Sequence, residues 1–166
     1  DKQKLIARYQ KILRERDFDN PPDIHLGRAL FQKTCAQCHT LFGEGGNVGP
    51  ELTGSNRANA DYLLSNVLDP SAVMAREYQP LIIALKDGRV LTGLLKERTA
   101  TSLKVQSANE LVLVPLDDIE LEKPSDQSMM PDNLWQNLSS HDVQSLAAYL
   151  AEPGQVPMLA SPENVQ

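Results

Sequence analysis

The sequence predicts a mainly α domain interrupted by a small inserted β unit of about five strands. Three observations carry this expectation. Apolar residues recur with a helical period on both sides of the stretch 79–125. Aliphatic and β-branched runs separated by turn signals fill that stretch itself. Between the second and third helical segments lies a loop, GEGGNVGPELTG at 43–54, with five glycines and a proline.

The elements follow in order. Over residues 1–16, Leu5, Ile6, Tyr9, Ile12 and Leu13 share one face of a 3.6-residue period. The opposite face is basic: 1–16 carries a local charge of +4, so the remainder carries −10 of the total −6. Such a face is ordinarily solvated, with docking of an acidic partner as the alternative. Pro21-Pro22 interrupts the chain, and Asp23 offers a cap for a helix over 24–35 with Leu26, Leu30 and Phe31 inward. Residues 60–68 read as a short helix that Asp69-Pro70 ends.

Strands are expected at Leu81–Lys86, Val90–Lys96, Ser102–Gln106, Leu111–Val114 and Ile119–Leu121, with an Asp87-Gly88 turn between the first two. Their spacing suits a small barrel or a strongly bent sheet, closed by the acidic run DDIELE at 117–122. Helical pattern returns at 132–138 and 140–151. Ser139 and Asp142 form a capping-box pair before the second of these, and Pro153-Gly154 ends it. The expected organisation is an N-terminal helix and linker at 1–20, a helical domain at 21–78 and 126–152, a β insert at 79–125 and a tail at 153–166.

Composition narrows the function. With 166 residues the chain has room for one ordinary domain, or for one small domain with an insert. Its 41% hydrophobic residues exclude a wholly disordered chain. A net charge of −6 argues against a general nucleic-acid binder, and no run of apolar residues is long enough to span a membrane. The chain begins at Asp1 without an initiator Met or a signal peptide, and reads as a mature product or a piece of something longer. Aromatics are only 5%, which is lean for a core of this size and leaves room for another occupant.

Two cysteines exclude a disulfide scaffold and a four-cysteine zinc site. They stand in Cys35-Ala36-Gln37-Cys38-His39, the C-x-x-C-H attachment signature of c-type haem. On one helical turn both thiols reach the vinyl groups of a single porphyrin, and the adjacent His39 lies under the ring as proximal iron ligand. A thioredoxin-like pair would follow a strand in a βαβ setting, whereas here a helix precedes and glycines follow. A zinc set would need Cys35, Cys38, His39 and one more His, and adjacent Cys and His make poor tetrahedral partners. One haem c per chain is the expected cofactor. In the glycine loop the backbone can approach the haem edge, and the Pro50 carbonyl can accept the Nδ1–H of His39.

Candidates for the sixth iron position are Met130, Met129, Met74, Met158, His25 and His141. Met130 leads because Pro131 stiffens the loop that would present its sulfur; an open iron is the alternative.

The runs Gly27–Phe31, Cys35–His39, Gly49–Gly54, Met130-Pro131, Leu138-Ser139 and Asp142–Leu150 resemble class I cytochrome c. Asp69–Val73 and Leu85–Gly93 bring the chain closer still to the haem-binding domain family of the Planctomycetes and Verrucomicrobia type, over about residues 25–152. The resemblance implies a class I cytochrome c fold around haem, with a β segment before the Met-bearing loop. It implies thioethers at Cys35 and Cys38, His39 proximal, Pro50 orienting it, and Met130 distal. It also implies a place beside an upstream dehydrogenase in a larger protein. The span from Thr92 to Leu116 is similar to small Sm-like barrels, as a fold hint only.

Three functions follow as expectations. The first is one-electron transfer between a dehydrogenase and an acceptor, without bond chemistry of its own. The second is binding or sensing of CO, NO or O₂ at a weak or open sixth position. The third is peroxidase activity, for which no distal acid–base pair is evident. Attachment to C-x-x-C-H takes place outside the cytoplasm, so a periplasmic or exported bacterial location is expected.

Overall fold

Residues 1–158 are described by the computed structural model; residues 159–166 of the expected tail lie outside the described residues. The chain divides into two units, Asp1–Pro70 with Asp132–Gln166, and Ser71–Pro131.

The first unit holds four helices: α1 (Lys2–Arg14), α2 (Ile24–Thr34), α3 (Ala60–Leu68) and α4 (Ser140–Ala151). Each starts on a side chain that accepts from otherwise unpaired amides: Asp1, Asp23, Asn59 and Ser139. A cap of this kind stabilises a helix by about 1 kcal/mol. At α4 the box is reciprocal, with Ser139 and Asp142 each bonding the other's backbone. α2 packs against α4, and α1 packs against α3 and α4. The buried face joins Leu30 and Phe31 of α2, Leu64 and Leu68 of α3, and Val143, Leu146 and Tyr149 of α4. Burying one such aliphatic or aromatic side chain contributes about 1.5–3 kcal/mol.

α1 is tied into this unit at both ends. Lys2 Nζ donates to the Leu68 carbonyl at 2.8 Å and to Asp132 at 2.5 Å. Gln144 Nε2 donates to the Ile12 and Glu15 carbonyls at 2.7 and 3.0 Å, satisfying the helix's last turn. A two-residue hairpin, β1 (Thr40–Leu41) with β2 (Glu44–Gly45), follows α2.

The second unit is a five-stranded antiparallel sheet of β3 (Leu81–Leu85), β4 (Val90–Arg98), β5 (Ser102–Gln106), β6 (Leu111–Pro115) and β7 (Ile119–Pro124). Its order is β6-β5-β4-β3-β7, so β7 returns to pair with the first strand of the unit. Alternation puts Ile83, Leu85, Leu103, Val105 and Val114 into one buried cluster. Gly88, at φ +89, makes the turn between β3 and β4. Register shifts interrupt β4 between Leu95 and Glu97 and β3 between Ala84 and Leu85. Bulges of this kind bend a sheet.

Two expectations require correction. Among the described residues the protein is mixed rather than clearly mainly α, at 32% helix, short 3-10 turns included, and 22% strand. β4 and β7 run further than expected, to Arg98 and Pro124, because Arg98 pairs with Leu103 of β5 and Pro124 with Leu81 of β3. The helix expected over 132–138 is instead a series of turns, with Gln136 N bonded to Asn133 O and Leu138 N to Trp135 O. The Ser139 amide, which could have extended such a helix by one bond, is instead engaged by Asp142 in the α4 cap. The Trp135 carbonyl is further held by the Tyr9 hydroxyl at 3.0 Å.

Residues 153–158 run along α2 rather than away from it. Val156 is buried, its carbonyl accepts from Arg28 at 2.5 Å, and the Pro157 carbonyl meets His25 Nδ1 at 2.7 Å.

At Gly27 helices α2 and α4 come into close contact. A Cβ there would lie 2.1 Å from the Ser145 carbonyl and 2.6 Å from Tyr149 Cβ, so α2 and α4 would have to separate. Gly27→Ala is expected to cost about 1–3 kcal/mol in a denaturant titration, the range of overpacked cores. At Gly54 nothing stands within 4 Å of an added Cβ, and Gly54→Ala is expected to leave the midpoint nearly unchanged.

Candidate haem-binding site

The C-x-x-C-H segment continues the end of α2 as a further turn. Cys35 and Ala36 amides both donate to the Phe31 carbonyl, at 2.8 and 2.9 Å. Cys38 and His39 amides then donate to the Cys35 carbonyl, at 3.1 and 2.9 Å. The segment therefore stays wound through His39, and both thiols are free and half-buried. Burial pushes the Cys35 thiol from 9.0 up to about 11, against a lowering hydrogen bond from Thr34. Burial also raises Cys38. A buried, protonated thiol is a weak nucleophile toward ordinary reagents.

His39 is oriented by the loop that follows. Its Nδ1 lies 2.7 Å from the Pro50 carbonyl, which can only accept, so Nδ1 carries the proton and Nε2 is the nitrogen left for a metal. Gly49 presses on the imidazole: an added Cβ would stand 2.5 Å from Cε1 and 2.9 Å from Nδ1. Gly46 backs the same turn, its amide donating to the Ala36 carbonyl at 2.7 Å. The strand-like rung Leu52 N to Thr40 O, at 2.9 Å, closes the loop behind the ring.

This donor set fits a haem c. Two free thiols leave one turn, an imidazole is held with one nitrogen engaged, and backbone without side chains packs under the ring. Among the described residues no group of three or more His, Cys, Asp and Glu side chains gathers in metal-binding geometry, so the four-ligand zinc set is not assembled.

Cys35, Cys38, His39 and Pro50 thus come together in one unit. Met130 does not belong to that unit; it falls in Ser71–Pro131 with Met129 and Met74, and its amide donates to Ser128 Oγ at 3.1 Å. Two other candidates have ring nitrogens engaged by carbonyls: His25 at Pro157, and His141 Nε2 at Pro21 at 3.0 Å. Met158 is 37% exposed.

Several residues that hold the loop carried no signal in the sequence. Arg28 reaches from α2 to Glu44 in the hairpin at 2.7 Å. Arg57 lies 4.8 Å above the Phe42 ring and donates to carbonyls at the end of α4. Their contacts are long-range, and no spacing rule marks them.

Among known families, the one described as cytochrome C oxidase, cbb3-type, subunit III matches residues 22–79. The matched segment contains α2, the C-x-x-C-H turn, the glycine loop and α3, and it supports a c-type cytochrome haem-binding domain that takes part in haem-based electron transfer. No curated protein matches this chain. No helix among the described residues is long and apolar enough to cross a membrane.

The thiol environment is checked by alkylation of the haem-free chain. At pH 8 Cys35 is expected to hold about a hundredfold less thiolate than a thiol at 9.0, and its labelling rate is expected to rise until the pH nears 11. A plateau near pH 9 would contradict the burial of this thiol.

Proposed function

We propose that the chain is an electron-transfer domain carrying one haem c, bound through Cys35 and Cys38 and ligated by His39 and Met130. The observation that carries this reading is the His39 turn: thiols at its start, and an imidazole fixed through Nδ1 by the Pro50 carbonyl at 2.7 Å. When bound, the haem supplies a one-electron couple at iron. The protein's own residues do the rest. Cys35 and Cys38 anchor the ring's edge. Pro50 holds the His39 proton at Nδ1, which makes Nε2 a stronger and directionally fixed donor. Gly49 and Gly46 let backbone pack against the site where a side chain would intrude.

Met130 is the proposed distal ligand on chain order. It precedes Pro131, and the next residue, Asp132, is fixed to α1 by Lys2 at 2.5 Å. A thioether at iron favours the ferrous state and raises the reduction potential. The finer assignment is the haem-binding domain family of the Planctomycetes and Verrucomicrobia type, exported to the bacterial periplasm. There the domain takes electrons from a fused or separate dehydrogenase and passes them to an acceptor, performing no bond chemistry itself. The basic face of α1 and the acidic remainder provide charged surfaces for steering redox partners.

Optical spectroscopy tests this reading. The purified chain, matured where haem c is attached, is expected to hold one covalent haem, lost with Cys35→Ser or Cys38→Ser. Met130→Ala is expected to abolish the far-red band of thioether–ferric ligation and lower the potential, while Met129→Ala leaves both. A high-spin spectrum that takes up CO readily in the unaltered protein would favour ligand sensing instead.

A further inference from the structure

We infer that Arg57 is a positioning residue for His39, acting through Thr53 and Phe42. The inference rests on the haem reading above and deepens it by naming what holds the proximal ligand's acceptor in place.

The segments 39–42 and 50–53 face each other as a short ladder with three rungs. His39 Nδ1 meets the Pro50 carbonyl at 2.7 Å. Leu52 N donates to the Thr40 carbonyl at 2.9 Å. Phe42 N donates to Thr53 Oγ1 at 2.8 Å. The first rung orients the imidazole, and the last sits at the open end, where the loop would otherwise fray.

Arg57 fastens that open end to α4. Nη1 donates to the Leu150 carbonyl and, at 2.5 Å, to the Glu152 carbonyl. Nη2 donates to the Thr53 carbonyl at 3.3 Å. The last carbonyls of a helix lack intrahelical partners and form the negative end of its dipole, so a cation is favoured there. One planar guanidinium thus joins the terminus of α4 to the outermost rung. A lysine ammonium keeps the charge but not the fork.

The same guanidinium lies over Phe42, 4.8 Å from the ring centroid. Phe42 and Gly43 are the two central residues of the β1–β2 hairpin, and both take the positive φ that such a tight turn demands, +52 and +80. For an aromatic residue that conformation is disfavoured, so its contacts matter. Beyond the hairpin itself, the Phe42 side chain and amide are held by the Thr53 rung, the Arg57 stack and an edge-on contact with Tyr149 at 6.4 Å. Two of these three therefore run through the Arg57–Thr53 pair. Arg57 Nε is buried with no acceptor among the described residues, so the side chain forgoes one bond to sit where the carbonyls and the ring converge. Glu51 completes the loop. It accepts from the Thr53 amide at 3.1 Å and from the Thr53 hydroxyl, and these bonds hold its carboxyl below the usual range.

The test is solvent exchange of the His39 Nδ1 proton, followed by NMR on the full chain with nitrogen-15 histidine, haem-loaded and haem-free. Arg57→Lys and Arg57→Ala are each expected to speed exchange at least tenfold, and Thr53→Val to act in the same direction. Tyr9→Phe removes the buried bond to the Trp135 carbonyl in the same unit and reports general loosening. It is expected to lower the melting temperature without moving the His39 exchange rate. Exchange in Arg57→Lys equal to that of the unaltered chain would overturn the inference, because charge alone would then suffice. Equal acceleration by Tyr9→Phe would overturn it as well. Absence of covalent haem on the unaltered chain would defeat the haem reading separately, since the Arg57→Lys comparison is still decided on the haem-free chain.

Discussion

A neutral imidazole offers two nitrogens, and a metal can use only the one that the protein leaves free. In this chain the Pro50 carbonyl holds Nδ1 of His39 at 2.7 Å, and that single bond decides tautomer, ring direction and donor strength together. The bond depends in turn on a loop that turns back within eleven residues. Gly49 permits that return, since any side chain at that position would meet the imidazole. The thiols lie on the other side of the same constraint: the turn that delivers His39 is closed by amides bonded to the Cys35 carbonyl.

The helices make this small site rigid by closing around it. α2 carries the C-x-x-C-H turn at its end and approaches α4 so closely that only glycine fits at position 27. Phe31, Tyr149 and Phe42 form a chain of tilted and edge-on aromatic contacts, at 5.8 and 6.4 Å, that runs from α2 through α4 to the loop. The C-terminal residues add to it, with Tyr149 hydroxyl bonded to Gln155 and Arg28 bonded to the Val156 carbonyl. The fixed geometry a one-electron carrier requires is thus supplied by packing against two helices rather than by the loop's own sequence.

The sheet of the second unit has a buried cluster of its own, built from β3, β5 and β6. Its order, with β7 beside β3, leaves β6 and β7 as edges among the described strands. Ion pairs Lys104–Glu97 and Arg98–Glu122, at 2.8 and 2.5 Å, decorate its surface; exposed pairs of this kind contribute little to stability. The unit ends at Pro131, directly after Met130, so the proposed distal sulfur belongs to the segment that leads back into the helical unit.

Local chemistry makes much of this protein legible along the chain alone. The C-x-x-C-H spacing, the caps at Asp23 and Ser139, the Asp87-Gly88 turn and the period-two strands all depend on residues close in sequence, and their physics acts at that range. The 132–138 segment shows where such reasoning fails. Its apolar pattern suits a helix, but the segment closes as separate turns, with the Tyr9 hydroxyl also on the Trp135 carbonyl and the Ser139 amide engaged by Asp142. The strand content likewise exceeds the expectation: β4 is extended within its hairpin with β5, and β7 by pairing with β3, far back along the chain. Arg28, Thr53 and Arg57 act at the site only because folding brings the end of α4 and residues 155–156 beside the loop. The order of residues along the chain is enough to name the candidate haem ligands. The tertiary structure decided which atoms hold those ligands still, since that depends on contacts made across about a hundred residues of chain.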